Sequence, residues 1–339
     1  MQPPNSRIGI LAFICLLTFI GRPAQAQNFD DLLDQAEDLN PLNSLLISWK
    51  GELVAERYYR GMRANKTVNV KSVSKSLLSP LVGIAIRDGL LENTDQKLAS
   101  LLPNYADLIA ASHRDKITLH HVLSMTTGLE GTSFQNYGPW VASKDWVKFA
   151  MEQPVACAPA DCMTYSTGNS HLISVILSKT SGKDLRTYAR DVLYRPLGIA
   201  LPTWDKDPQG YFLGGNNIGL RARDMMRFGE LYLNKGRYNG KQLVPADWIE
   251  RSWQAYTISP WNGHRHGYFW WSRTFGGQKT HFAWGYGGQY IFIVPELELV
   301  VVVTSSLRNR PRGVNHNQAV QDFLADEIIP FVESMAKTE

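Results

Sequence analysis

A chain of 339 residues is long enough for one large domain or two medium ones. Hydrophobic residues make up 44% of it, ample for a packed core, and 19% charged residues is low for a disordered or nucleic-acid-binding protein. The net charge of +4 is mild and no basic run occurs, so neither nucleic acid nor an acidic surface is implied as a partner.

Arg7 leads an apolar stretch from Ile8 to Ile20, followed by Pro23 and the small-residue site Ala24-Gln25-Ala26. The pattern predicts a cleaved secretory peptide, residues 1–26, and a periplasmic or secreted mature chain, residues 27–339. The stretch is too short to span a bilayer comfortably, Cys15 lacks a convincing lipobox, and no later segment reaches transmembrane length. No membrane anchor is therefore expected after cleavage.

Residues 44–60 read as a hairpin around a Lys50-Gly51 turn. Leu77, Leu78, Leu81, Ile84 and Ala85 recur with helical period up to Gly89, with Pro80 inside, where it is expected to kink the helix or free a carbonyl. From Ile117 to about Leu201 the pattern is helical, with stops at Gly128, Gly182 and Pro196-Leu197-Gly198. Strand signals return at Trp270-Trp271, Gln289–Val294 and Leu299–Thr304, and a final helix covers about Gln318–Ala336. This order predicts a single α+β domain: an antiparallel sheet flanked by terminal helices, with an all-helical lobe inserted. The α/β part covers about 27–115 and 205–339 and the lobe about 116–204, with the site in the cleft between them.

Once Cys15 leaves with the signal, Cys157 and Cys162 remain. An even pair in an oxidising compartment is a disulfide candidate that would stiffen the segment leading to Tyr165, although two separate thiols remain an alternative. No metal site is expected: His264-Arg265-His266 has no acidic or cysteine partners, and His120-His121 reads as structural. No cofactor is implied. Asp224 with Arg221, Arg223 and Arg227 reads as a capping and ion-pair cluster.

Ser72 opens a helix, where a hydroxyl is most often a cap. Lys75, one turn on and on the same side of the cylinder, offers another use for it. An amine among Leu and Ile side chains loses basicity and can take a proton from serine. Spacing alone is weak, since Ser334-Met335-Ala336-Lys337 shares it. Tyr165 at a loop-to-helix junction either packs or, beside Lys75, ionises more easily than a free phenol and shuttles a proton. No Gly-x-Ser-x-Gly elbow exists, which excludes an α/β-hydrolase site.

Ser72-Val73-Ser74-Lys75-Ser76, Tyr165-Ser166-Thr167 and Trp284-Gly285-Tyr286-Gly287-Gly288-Gln289 resemble the three ordered motifs of the serine β-lactamase-like hydrolases. That family includes class C β-lactamases, D-alanyl-D-alanine carboxypeptidases, family VIII esterases and 6-aminohexanoate-dimer hydrolases. Gly168-Asn169-Ser170-His171-Leu172 is most similar to the last branch. The resemblance implies Ser72 as nucleophile, Lys75 as its proton acceptor and Tyr165 as second base or acid. It also implies an oxyanion hole from the backbone N–H groups of Ser72 and of Gln289 or a neighbour. Thr167, Tyr286, Gly287 and Gly288 would meet substrate, and Tyr137 and Trp140 are candidates for a mobile wall.

Two departures bear on substrate. Thr167 stands where the lactamase pattern has asparagine, and Tyr286-Gly287-Gly288 stands where it has Lys-Thr-Gly. The missing lysine would help hold a penicillin or peptide carboxylate, so a neutral or bulky acyl group is favoured. The aromatic residues Trp253, Tyr256, Trp261, Trp270, Trp271 and Trp284 are consistent with that, each being by itself a core candidate. The expected activity is hydrolysis of a carboxylic ester or small amide, the partner being a small ester, amide or peptide-like molecule. A weak β-lactamase or D-Ala-D-Ala peptidase is one alternative, and a non-catalytic peptidoglycan-binding protein is another.

Overall fold

The computed structural model describes residues 28–110, 114–201, 203–308, 313 and 315–337. The proposed secretory peptide and Cys15 lie outside these residues. No helix among the described residues is long and apolar enough to cross a membrane.

The hairpin expected at 44–60 forms between strands Leu42–Trp49 and Glu52–Tyr58. Its first strand is paired on both sides and buried on both faces, which explains its nearly continuous apolar sequence. Together the strands build an eight-stranded antiparallel sheet. From one edge to the other the order is Glu52–Tyr58, Leu42–Trp49, Leu299–Ser305, Gln289–Val294, Gln278–Gly285, Trp271–Phe275, Arg265–His266 and Thr257–Ile258. The N-terminal hairpin thus closes onto the last strand, through the pairing of Leu45 with Val303 and Ile47 with Val301.

Alternation along the central strands sorts side chains to two faces. Ile291 and Val300 pack on the helix Ala222–Leu233, while Tyr290 meets Gln321 of the C-terminal helix His316–Phe323. The helix Val73–Arg87 runs without a break through Pro80, so the expected disruption does not end it there. It lies between the sheet and the helix Thr167–Ser181 of the helical lobe. That lobe helix ends at Gly182, as its pattern predicted. The helix starting at Leu119 stops earlier than Gly128, at Ser124, where Met125 takes the left-handed conformation.

Of the charged cluster, Arg221 and Arg227 hold Asp224, but Arg223 pairs across the fold with Glu56. Sequence proximity misassigned Arg223 because Glu56 lies on a strand distant in the chain.

Candidate active site

The helix Val73–Arg87 brings Ser72 and Lys75 together, and the Ser72 side chain makes no capping bond to its own helix. Its hydroxyl is therefore not spent as a cap. Lys71, just before it, adopts φ 52°, a left-handed conformation that costs energy in a non-glycine residue. Close by, the free end of strand Gln278–Gly285 passes against this turn. Pairing with Trp271–Phe275 stops at Phe282, and a Cβ on Gly285 would sit 2.3 Å from the Val70 carbonyl oxygen. Only glycine allows so close an approach.

Lys75 is 2% exposed. Its Nζ lies 3.3 Å from Ser72 Oγ, 3.1 Å from Thr167 Oγ1 and 2.8 Å from the Gly215 carbonyl oxygen. No carboxylate among the described residues faces the amine, so burial governs it and lowers its pKa to about 7. Gly215 is at φ +88°, and any Cβ there would strike Ser170 Oγ and the Lys75 stem. The Gly215 carbonyl was not legible in the sequence, since no side chain marks it.

Tyr165 enters from the helical lobe. The Cys157–Cys162 disulfide closes the preceding loop. That loop is pinned by Cys157 N–H on the Gly128 carbonyl and Thr164 N–H on the Met125 carbonyl. The phenol interacts with the Ser72 hydroxyl, its ring stacks on Trp271 at 5.8 Å, and Lys75 Nζ lies 5.0 Å over its face. Easier ionisation, expected from the neighbouring lysine, does not occur. Burial pushes the Tyr165 pKa up to about 12, outweighing the Ser72 hydrogen bond. A lysine above the ring face, itself readily neutral, does not stabilise a phenolate.

The two lobes meet at the start of the helix Thr167–Ser181. Ser166 caps it, while Ser133 Oγ accepts from Thr167 N–H and Thr132 Oγ1 accepts from Gly168 N–H. Ser133 also bonds Thr167 Oγ1 at 2.9 Å. Thr167 is thus buried behind Lys75 and does not line the cavity. It holds the amine, where it was expected to meet substrate.

Beside Ser72 opens a cavity of about 470 Å³. Its walls are Phe134, Tyr165, Trp261, Trp271, Trp284 and Tyr286, with the amides of Asn262 and Asn317. Among the described residues no lysine, arginine or carboxylate lines it. Of the six aromatic candidates, Trp261, Trp271 and Trp284 line it. Trp253 instead stacks on His281, Tyr256 on Tyr268, and Trp270 is core. Phe134, Asn262 and Asn317 come from a short 3-10 helix, a turn and the first turn of the helix His316–Phe323, and no spacing in the sequence marks any of them as a wall.

Several expected contacts move. Trp140 is fully buried against Trp146 and Leu213, with its indole N–H on the Trp146 carbonyl, so it is no mobile wall. Tyr137 is half-buried and accepts from Asn216. Gly287 and Gly288 form the hairpin turn at φ +93° and +92° and do not line the cavity, whereas Tyr286 does. Gln289 sits across the hairpin from Gly285, fully buried, with its side-chain amide exchanging hydrogen bonds with Ser305. The Gly285-Tyr286 end of the turn, by contrast, lies toward Ser72: Gly285 packs on Val70 and Lys71, and Tyr286 lines the same cavity as Ser72.

The histidines are structural in placement. His120 Nδ1 is 2.8 Å from the Tyr268 hydroxyl, and His121 caps Thr118. His264 packs on Phe282, and His266 lies 3.3 Å from the Ser124 carbonyl; burial lowers their pKa values to about 4 and about 3. Ser334, in the second Ser-x-x-Lys copy, bonds its own helix at the Phe331 carbonyl.

A family model described as beta-lactamase matches residues 43–325. Among solved structures, a candidate 6-aminohexanoate-dimer hydrolase from Bacillus anthracis superposes with a TM-score of 0.73 at 20% identity, over 93% of this chain and 84% of that one. EstCE1, a hydrolase with promiscuous acyltransferase activity, gives 0.68 at 16% identity, over 88% and 97%. An uncharacterised protein of Alkalihalophilus pseudofirmus is 21% identical over 83% of this chain and 88% of its own. With an antiparallel sheet, flanking helices and the family model spanning most of its length, the chain belongs to the β-lactamase family and has the β-lactamase/transpeptidase-like fold.

Proposed function

We propose that this protein is an exported serine hydrolase that cleaves a neutral carboxylic ester or small amide through an acyl-enzyme on Ser72. The observation that carries the reading is the environment of Lys75. A neutral amine has two N–H groups and one lone pair. The Gly215 carbonyl and Thr167 Oγ1 take the two donors, which leaves the lone pair for the Ser72 hydroxyl proton. A pKa near 7 makes that neutral form available at ordinary pH.

In this mechanism Ser72 Oγ bonds to the acyl carbon as its proton passes to Lys75 Nζ. The oxyanion is held by the backbone N–H of Ser72 and one from the Gly285-Tyr286 turn, at the start of a helix whose dipole favours negative charge. Tyr165, protonated at rest, gives its proton to the leaving oxygen or nitrogen as that atom's bond to the acyl carbon breaks and the carbonyl re-forms, and the proton held by Lys75 restores the phenol. A water then adds to the acyl carbon, its proton returns through the same pair, and Ser72 is released with the acid.

The aromatic cavity, lined by no cation among the described residues, supports a neutral acyl or leaving group over a penicillin carboxylate. Similarity to EstCE1 and to the Bacillus anthracis protein supports ester or amide chemistry. The Cys157–Cys162 disulfide supports an oxidising compartment. The test is intact-mass detection of an acyl adduct after exposure to a panel of esters, amides and lactams. The adduct should map to Ser72, vanish in S72A, and form from p-nitrophenyl esters at a higher specificity constant than from nitrocefin. A folded protein that acquires no adduct at Ser72 defeats the proposal, and faster nitrocefin turnover replaces it with a lactamase reading.

A further inference from the structure

The helix Thr167–Ser181 is buried on nearly all sides, yet it carries a polar stripe at Thr167, Ser170, His171 and Ser174. These positions share one helix face. Thr167 meets Lys75, and the other three close on one segment of chain, residues 211–215. Ser174 Oγ donates to the Phe212 carbonyl, and the single Ser170 hydroxyl proton is shared between the Thr167 carbonyl at 2.8 Å and the Gly214 carbonyl at 3.0 Å. His171 Nδ1 accepts the Gly214 N–H at 3.3 Å. The next carbonyl in that segment, Gly215, is the one that takes a hydrogen bond from Lys75.

His171 has a second partner. Its Nε2 lies 2.9 Å from Asp207 Oδ2, and both side chains are completely buried. Asp207 Oδ1 accepts the Tyr211 N–H at 2.8 Å. Trp140 and Trp146 pack on the imidazole. The tautomer follows from the partners. Because Nδ1 accepts from a backbone N–H, the ring proton sits on Nε2 and is donated to the Asp207 carboxylate.

We propose that the Asp207–His171 couple is a positioning device that fixes the Gly214-Gly215 segment, and through its carbonyl aims the amine of Lys75 at Ser72. The inference rests on Lys75 being the base in the hydrolase reading. Neither side chain touches the cavity, so both act through Lys75. Asp207 sets the tautomer, His171 holds the Gly214 amide, and the Gly215 carbonyl holds the lysine.

The isosteric D207N variant breaks the chain of partners with little change in volume. Its amide oxygen stays with the Tyr211 N–H and its NH₂ turns to His171. That forces the ring proton onto Nδ1, against the Gly214 N–H. The expected result with a p-nitrophenyl ester is a kcat lower by on the order of tenfold to a hundredfold at nearly unchanged KM. The acidic limb of the pH profile should move to higher pH, as water reaches the amine. H171N keeps an acceptor at the Nδ1 position and should stay within a few-fold of wild type, whereas H171Q, which reaches only Asp207, should fall with D207N. Nitrogen-15 NMR of the wild-type protein reads the tautomer without any substitution and should find Nε2 protonated and Nδ1 bare. A wild-type ring protonated on Nδ1 overturns the proposal, as does a folded D207N with wild-type kcat and pH profile, or equal activity in H171N and H171Q. Absence of a Ser72 adduct in the wild type would instead defeat the hydrolase reading, while the tautomer measurement would still decide the anchoring geometry.

Discussion

On the helical-lobe side of Ser72, polar side chains are buried and held by named partners: Lys75 by three oxygens, Thr167 by Ser133, His171 by Asp207. On the cavity side the groups are aromatic, and several are open to solvent: Trp261 at 58% and Tyr286 at 67% from the sheet part, and Phe134 at 76% from the lobe. A buried polar group is costly unless it is hydrogen-bonded, so the first wall has little freedom to vary its geometry. Exposed aromatic surface is costly until something covers it, so the second wall is suited to taking a ligand. In the proposed hydrolase the difference separates proton transfer from recognition. On that reading the acyl specificity of the cleft can change without disturbing the base.

The comparison is broken most severely by removing the base. K75M keeps the apolar stem and deletes the amine, and turnover of a p-nitrophenyl ester should fall by about 10³–10⁴-fold with the fold intact by circular dichroism. Y165F deletes only the phenolic oxygen and should cost about 10²-fold, more on an amide than on an ester, because a poor leaving group needs the proton. Comparing the two substrates checks this directly. The pH profile should then sharpen the assignment. Lys75 is active when neutral, so kcat/KM should fall about tenfold per pH unit below about 7 as the amine takes a proton. Tyr165 is active when protonated, and its elevated pKa, about 12, predicts no loss on the alkaline side through pH 9 or 10. On the other wall, W261A and F134A should raise KM by less than about tenfold and leave kcat and its pH limb in place, since rim positions contribute little per residue. A collapse of kcat in either rim variant would deny the division between the two walls.

Much of the fold was legible because it follows from periodicity. The strand Gln289–Val294 and the helix stop at Gly182 lie where the pattern put them, and the expected 44–60 hairpin forms with its strands at 42–49 and 52–58. The meeting of Ser72 with Lys75 was also legible, since one helical turn brings them together. What failed was environment. Trp140 and Trp261 are alike as residues in a loop-rich stretch, yet one is core and the other forms a rim. The phenol of Tyr165 was expected to ionise readily beside a cation, but solvent exclusion governs both groups and drives their pKa values toward the neutral forms.

By itself the sequence determined many of the elements, some of their stops such as Gly182, and that a hydroxyl and an amine share a helix face. Those are local consequences of side-chain periodicity and backbone sterics. Tertiary structure alone decided that Gly215 lends its carbonyl to Lys75, that Thr167 faces the amine, and that Tyr286 borders Ser72 while Gln289 lies across the hairpin. The two contacts to Lys75 join residues more than ninety positions apart, one of them through a backbone carbonyl that every residue possesses, and only the packing of the chain selects which of them meet.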